Sequence, residues 1–390
     1  MEPRILYLAR TIPYPSRVSG SSHRVAAFLD EFERRGIAVL PYTGRVTPEG
    51  RASVATAAWH RLPLWVRGLR RDAAGIVSAL RWARSVRREA EAFRPTIVYE
   101  RAEYLDPAGA LLARRLRVPH VLELHGLLAD NVRAYYRSPL EPLGALYEKF
   151  RYRRAAKTIV VSGSLAEWLS TEAGVHDAAV IPSGVDLPQD VAALAREADR
   201  LRTAWEVSDR YVVGWIGHLM PWQVPLLSTI VGELDRVDGV ALVIVGDGQG
   251  VDDLRAAAAT VDYPVIFAGL QSGVDADAHV RAFDLGLFVD TRSLGLPVKL
   301  FQYGSLSVPV LSTDVASMRL FDAGRDLVSF FDVDDVAEAI VGARADAGRI
   351  ARAERLRAVV ERSHTWDAVV DQALDVCRTA LLEARAAPAT

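Results

Sequence analysis

The stretches YVVGWIGH (211–218) and ALVIVGDG (241–248) decide the fold class. Each is a run of five or six residues, largely apolar, that stops on glycine. Runs that short read as strands rather than helices, and apolar character on both faces belongs to a parallel sheet covered by helices on each side. Working outward, Val265–Phe267, Leu285–Val289 and Val308–Leu311 continue the series, with Gly246, Gly248 and Gly269 just beyond strand ends. Toward the N-terminus, Arg4–Ala9, Thr96–Tyr99, His120–Leu124 and Thr158–Val161 read as strands of an earlier unit. After the first of these comes an amphipathic helix with Val25, Phe28, Leu29 and Phe32 on one face and Gly36 as its stop. Gln189–Glu206 reads as a polar helix between the units, and Asp332–Leu382 as largely helical with a break at His364–Trp366. The expectation is an α/β chain of two parallel-sheet domains, 1–186 and 187–365. A helical segment, 366–390, is expected to pack back toward the first. Ligands of such sheets bind beyond the carboxyl ends of the strands, so a cleft between the domains is the expected site.

Composition narrows the function classes. With 50% hydrophobic and 25% charged residues over 390 positions, the chain has material for a core and is not a disordered one. No apolar run reaches 18 residues, and MEPRILYLAR (1–10) lacks the apolar region and cleavage site of a secretory signal, so a cytoplasmic protein is expected. The single cysteine, Cys377, makes no intrachain disulfide or cysteine zinc cluster. The net charge of −2 hides an asymmetry: residues 1–186 carry 28 Lys and Arg against 19 Asp and Glu, a balance of +9, and the remainder stands at −11. Much of the excess lies in 61–94, with nine arginines interleaved with Trp65, Leu69, Ile76, Leu80 and Trp82. That segment reads as one or two surface helices with a solvated arginine face, or as a docking surface for a phosphate-bearing acceptor, an acidic carrier protein or an anionic membrane. No nucleic-acid motif accompanies it, so nucleic acid is not an expected partner.

Three segments carry candidate chemistry. The loop SRVSGSSHR (16–24) joins the first strand to the first helix, where Gly20 permits close approach and the helix N-terminus faces an anion; an ordinary turn and cap is the bland alternative. His125, in Glu-Leu-His-Gly at the end of a strand, is placed to donate to a sugar hydroxyl or a developing charge, or is simply a satisfied turn histidine. In TRSLGLPVKLFQYG (291–304), Pro297 suits the first position of a helix, leaving the N–H groups of Val298, Lys299 and Leu300 for a diphosphate. Lys299 adds a full charge, and Gln302, one turn on, suits a ribose diol.

Taken in order, the Ser-Gly-Ser loop, Glu-Leu-His-Gly, Val160–Leu165, Ile181–Asp186, Gly214–Trp222, Val245–Gly248 and Leu-Pro-Val-Lys-Leu-Phe-Gln-Tyr resemble the retaining GT-B glycosyltransferases of family 4, over nearly the whole chain. The resemblance implies two Rossmann-like domains facing a cleft, with a nucleotide-sugar donor on the C-terminal one and an acceptor on the N-terminal one. It also implies no obligatory metal and no cofactor beyond that co-substrate. By carry-over, Gly20 and Ser21 approach the diphosphate or sugar, and His125 meets the transferred sugar. His218 and Lys299 supply charge, Gly246 and Leu270 line the base pocket, Val298 and Leu300 meet the phosphates, and Gln302 meets the ribose. Arg24, Arg101 and Arg133 of the basic half fall to the acceptor. The implied chemistry is front-face displacement, in which the departing phosphate helps deprotonate the acceptor. UDP-N-acetylglucosamine or UDP-glucose is the first donor by family frequency, and the alanine- and arginine-rich composition, as in high-GC actinobacteria, suggests natural-product tailoring.

The departures from the pattern are specific. Many members carry Gly-Arg-x-x-x-x-Lys-Gly with both cations on the diphosphate, where this chain has Gly217-His218 and Gln223-Val224. The paired glutamates of the family fall on Leu294 and Gln302. These losses motivate two further readings: a non-catalytic homologue that supports a partner enzyme, and an altered reaction such as epimerisation or non-glycosidic coupling.

Overall fold

The computed structural model describes residues 2–15, 20–44, 63–135, 138–220, 222–290, 294–296 and 298–386. The chain divides into two compact units, Met1–Pro182 with Val369–Thr390, and Ser183–Ala368. The cut thus falls at Pro182 rather than after Asp186, and the tail joins the first unit from Val369.

The first unit is a six-stranded parallel sheet in the order β2-β1-β3-β4-β5-β6. Its strands are β1 (Ile5–Pro13), β2 (Val39–Gly44), β3 (Ile97–Arg101), β4 (His120–Leu124), β5 (Lys157–Val160) and β6 (Ala179–Val180). Helix α1 (Gly20–Arg34) buries the predicted Val25, Phe28, Leu29 and Phe32, with Phe28 against Tyr7 and Tyr99, Phe32 against Tyr7, and the Tyr7 and Tyr99 rings stacked at 5.3 Å. It ends as expected at Gly36, whose φ of +66° needs no side chain to be accommodated. There the Gly36 N–H donates to the Glu33 carbonyl and the Ile37 N–H to the Phe32 carbonyl, which satisfies two of the last carbonyls. On the other sheet face, α2 (Leu64–Phe93) and α3 (Ala108–Leu116) bury Ala83, Val86, Ala90 and Leu112 against Leu6, Leu8 and Val98. Helices α4 (Leu128–Tyr135), α5 (Glu141–Arg154) and α6 (Gly163–Trp168) complete the run to β6.

The second unit repeats the plan in the order β12-β11-β10-β7-β8-β9, again all parallel. Here α7 (Val191–Ala204) leads into β7 (Tyr211–Ile216), followed by α8 (Val224–Leu234) and β8 (Val240–Val245). Then come α9 (Val251–Ala258), β9 (Val265–Gly269), α10 (Gly273–Arg281), β10 (Leu285–Phe288), α11 (Val298–Ser305) and β11 (Val310–Thr313). The unit closes with α12 (Ala316–Asp322), β12 (Ser329–Phe331), α13 (Val336–Ala345) and α14 (Arg349–Ser363). The interior strand β8, VALVIV, is buried at every position, as a strand covered on both faces must be. The predicted break at His364–Trp366 separates α14 from α15 (Trp366–Ala386). Among the described residues no helix is long and apolar enough to cross a membrane. Cys377 is buried, which pushes its thiol up to about 12 and leaves it inert.

Candidate active site

In the second unit the chain segments leaving β7 and β8 run in contact. The Gly217 N–H donates to the Val245 carbonyl at 2.9 Å and the Leu219 N–H to the Asp247 carbonyl at 3.0 Å. A Cβ on Gly246 would sit 1.8 Å from the Gly217 carbonyl oxygen, and φ at Gly246 is +131°, so only glycine allows this approach. Beside this pair stands the N-terminus of α11, whose first residues Val298, Lys299 and Leu300 hold the unpaired N–H groups of a helix start. The Lys299 ammonium lies over the Trp215 ring, 4.1 Å from its centroid, at the edge of Gly217. Burial lowers its pKa to about 7, and Asp290, at the end of β10, only partly offsets that. Tyr303 ties the floor together: its hydroxyl accepts from the Ile216 N–H at 3.2 Å and donates to the Leu287 carbonyl at 3.1 Å. Phosphate oxygens arriving here would meet helix N–H groups, a positive dipole end and an ammonium held in a low-dielectric setting.

The remaining candidates of this unit fall around that point. His218 is exposed next to Gly217. Leu270, immediately after β9, is 63% exposed. Gln302 donates from Nε2 to Asp277 Oδ1 at 2.8 Å, so this amide already has one partner. Pro297 and residues 291–293 lie outside the described residues, as do Ser16–Ser19 of the first loop and the first two residues of the 61–94 segment. Gln223, at the position of a family cation, is buried, with Oε1 accepting from the Met220 N–H and Nε2 donating to the Val289 carbonyl. It locks the loop after β7 to the end of β10. No other side chain in that loop replaces the lost charge except His218.

In the first unit the carboxyl ends of β3 and β4 gather a buried charge cluster. Glu123, in the interior of β4 and 1% exposed, takes Arg24 Nε on Oε1 at 2.8 Å and the Tyr99 hydroxyl on Oε2. Arg24 also donates to the Pro182 carbonyl at 2.9 Å. The expectation that Arg24 meets an acceptor is therefore corrected: a guanidinium 1% exposed and wholly engaged positions α1 and Glu123 instead. Arg101 is also buried and donates to Ser21 Oγ at 3.0 Å, which fixes the first turn of α1 next to Gly20. Arg133 is exposed and paired with Glu141 at 2.7 Å.

His125 stands one step beyond β4 with Nε2 against Glu123 Oε1. Burial and then Arg101 lower its pKa to about 3, while Arg24 and His125 hold the Glu123 carboxyl well below the usual range against its burial. A neutral imidazole facing a carboxylate through Nε2 must carry its hydrogen there. In that tautomer Nδ1 is a lone-pair acceptor, available to a hydroxyl hydrogen. The sequence did hold a signal for this cluster, because a glutamate inside the apolar strand His120–Leu124 requires a buried partner.

Two parallel Rossmann-like sheets in one chain, together with the solved structures that align with it, give the GT-B class of fold. Solved structures with this fold align along nearly the whole chain. Sucrose-phosphate synthase from Thermosynechococcus elongatus aligns at a TM-score of 0.70 and 14% identity, over 98% of this chain and 100% of that one. The trehalose 6-phosphate synthase of Burkholderia multivorans aligns at 0.69 and 16%, over 100% and 99%. HepE of Anabaena, solved with UDP and glucose, aligns at 0.64 and 16%, over 97% and 100%. No curated protein sequence matches the chain. Residues 18–189 match the family model Glycosyltransferase Family 4, and residues 210–346 match Glycosyl transferases group 1. The chain is a family 4-like glycosyltransferase with the GT-B fold.

Proposed function

We propose that this glycosyltransferase takes its sugar from a nucleoside diphosphate sugar and passes it, with retention at the anomeric carbon, to a small-molecule or carrier-bound acceptor. The observation that carries the donor assignment is Lys299 at the start of α11 beside the glycine-enforced approach of Gly217 and Gly246. In this reading the diphosphate lies on the N–H groups of Val298, Lys299 and Leu300, with His218 adjacent, Leu270 at the base and Gln302 toward the ribose. The negative charge that grows on the leaving phosphate is met by Lys299 and the helix terminus, so the scheme requires no metal. His125 accepts a hydrogen bond from a hydroxyl of the transferred sugar, and Gly20 and Ser21 approach the sugar or its phosphates. Arg101 and Arg133 remain the acceptor-side candidates. A UDP-sugar is the first donor to test, glucose or N-acetylglucosamine, which agrees with the UDP and glucose held by HepE.

The bond formed is acceptor oxygen to anomeric carbon, and the bond broken is anomeric carbon to phosphate oxygen, with the acceptor proton leaving on the phosphate. The test is release of UDP from UDP-glucose and UDP-N-acetylglucosamine, slow with water and faster with acceptor, and the anomeric configuration of the product by NMR. An α-linked product supports the proposal. A β-linked product overturns retention, and a donor that binds but is never cleaved favours the non-catalytic reading that the displaced cation at Gln223 motivates.

A further inference from the structure

Helix α5 is built inside out. Its core-facing residues are polar or small: Glu141, Gly144, Glu148, Arg151 and Tyr152 are buried. Its apolar residues Leu143, Leu146 and Phe150, spaced i, i+3, i+7, face outward and are 62%, 67% and 53% exposed. A surface helix of a globular domain does the reverse, so this face is shaped for contact with something other than water.

The face is part of a larger one. Helices α2, α3 and α5 belong to the successive right-handed crossovers β2–β3, β3–β4 and β4–β5, which put them on the same side of the first sheet: α2 and α3 pack on Leu6, Leu8 and Val98, and α5 is tied to the loop leading into α3 through Arg151 Nη1, which donates to the carbonyls of Glu103 and Asp106. The backbones are close, since a Cβ on Gly68 of α2 would lie 2.9 Å from Ser138 Cα, just before α5. Among the described residues, seven of the sixteen exposed large hydrophobic side chains lie on these three helices. The same surface is basic. Arg81, Arg84 and Arg88 follow one face of α2 at i, i+3, i+7, exposed, with no ion-pair partner among the described residues. Arg154 of α5 lies on the Phe150 ring at 5.3 Å, with no carboxylate partner there.

We propose that the outer surface of α2, α3 and α5 docks on an anionic lipid bilayer, with Leu143, Leu146 and Phe150 entering the headgroup boundary and Arg81, Arg84 and Arg88 lying on the phosphates. A layer of three side-by-side helices offers a broad surface, which suits a bilayer better than a pocketed partner. A second copy of the chain, meeting this face about a two-fold axis, would set arginines against arginines. The inference stands apart from the donor site, which lies in the other unit.

The experiment is flotation of the full chain with vesicles of phosphatidylcholine alone and with 30% phosphatidylglycerol, at low and high salt. Binding is expected to the anionic vesicles, at least tenfold above the neutral ones and weakened by salt. At about fivefold per arginine, Arg81→Gln/Arg84→Gln/Arg88→Gln should lower partitioning about a hundredfold. Leu143→Ser/Leu146→Ser/Phe150→Ser should lower it at least tenfold with the melting temperature kept, since the side chains face outward. Equal binding to both vesicle types, no binding to either, or folded triple variants that bind like wild type would each overturn the proposal, the second outcome leaving an acidic protein as the partner for this face.

Discussion

If Lys299 holds the donor diphosphate, donor binding must take up a proton. The ammonium sits half-buried over Trp215 with a pKa of about 7, so a phosphate pair in contact with it returns that value toward 10. The sign follows from the shift: free Lys299 is mostly neutral above pH 7, and the complex needs it charged. At pH 8 the free ammonium is about one-tenth populated, so binding draws in about 0.9 proton; at pH 6 it draws in about 0.1. With these values the Kd rises about fiftyfold from pH 7 to pH 9. The assay is calorimetry with UDP-glucose in two buffers of different ionisation enthalpy, since the difference in observed heat counts the protons. Lys299→Ala should bind more weakly at pH 6 and lose both the uptake at pH 8 and the pH dependence. Equal uptake in wild type and Lys299→Ala, or none in wild type, would refute the placement of the diphosphate on this residue.

Three further outcomes follow from named contacts. Arg24→Ala leaves Glu123 without its main buried counter-charge and should cost about 3 kcal/mol in urea unfolding, with a loss below 1 kcal/mol counting against the cluster. Gly246→Ala drives a methyl into the Gly217 carbonyl at a backbone angle alanine resists, so donor affinity should fall at least tenfold and the melting temperature should drop; unchanged donor binding would detach these glycines from the site. His364, buried and stacked on Phe301 at 4.3 Å, has its pKa lowered to about 4 by burial, so the unfolded chain binds the extra proton there and the contribution of His364 to stability declines as pH falls from 6.5 to 4. His364→Phe should flatten that decline, as read by thermal unfolding across the range, and an unaltered slope would place the acid sensitivity elsewhere.

How far the sequence could be read depended on whether the signal was local. Strand β4 and strand β7 appear in the structure with the ends their apolar runs and flanking glycines mark. Strands β2, β6 and β12 escape such reading because β2 is only half-buried and carries Pro41 and Thr43, while the other two are two and three residues long at sheet edges. The position of Lys299 at a helix start is legible from the sequence around it, but its stacking on Trp215 joins residues 84 positions apart and has no local signature. The same holds for Arg24 and Glu123, 99 positions apart, and it is why Arg24 reads as a free cation in sequence and as an interior tie in the fold. Gln223 reads as a lost charge, yet in the fold it is a buried brace between two strand ends. The arginines of α2 read correctly as an exposed face; what the sequence hides is that α5, with its weak apolar periodicity, turns its leucines outward on the same side of the sheet.

The most direct measurement of the central claim is a thermal-shift titration of wild type and Lys299→Ala against UDP, GDP, dTDP and ADP and their sugar conjugates. A ligand that binds only the folded chain raises the melting temperature with its concentration over Kd. The account predicts one nucleotide selected over the others, with UDP the first candidate, and the shift largely lost in Lys299→Ala. No shift with any of them in wild type, or an undiminished shift in Lys299→Ala, would contradict a donor site at the start of α11.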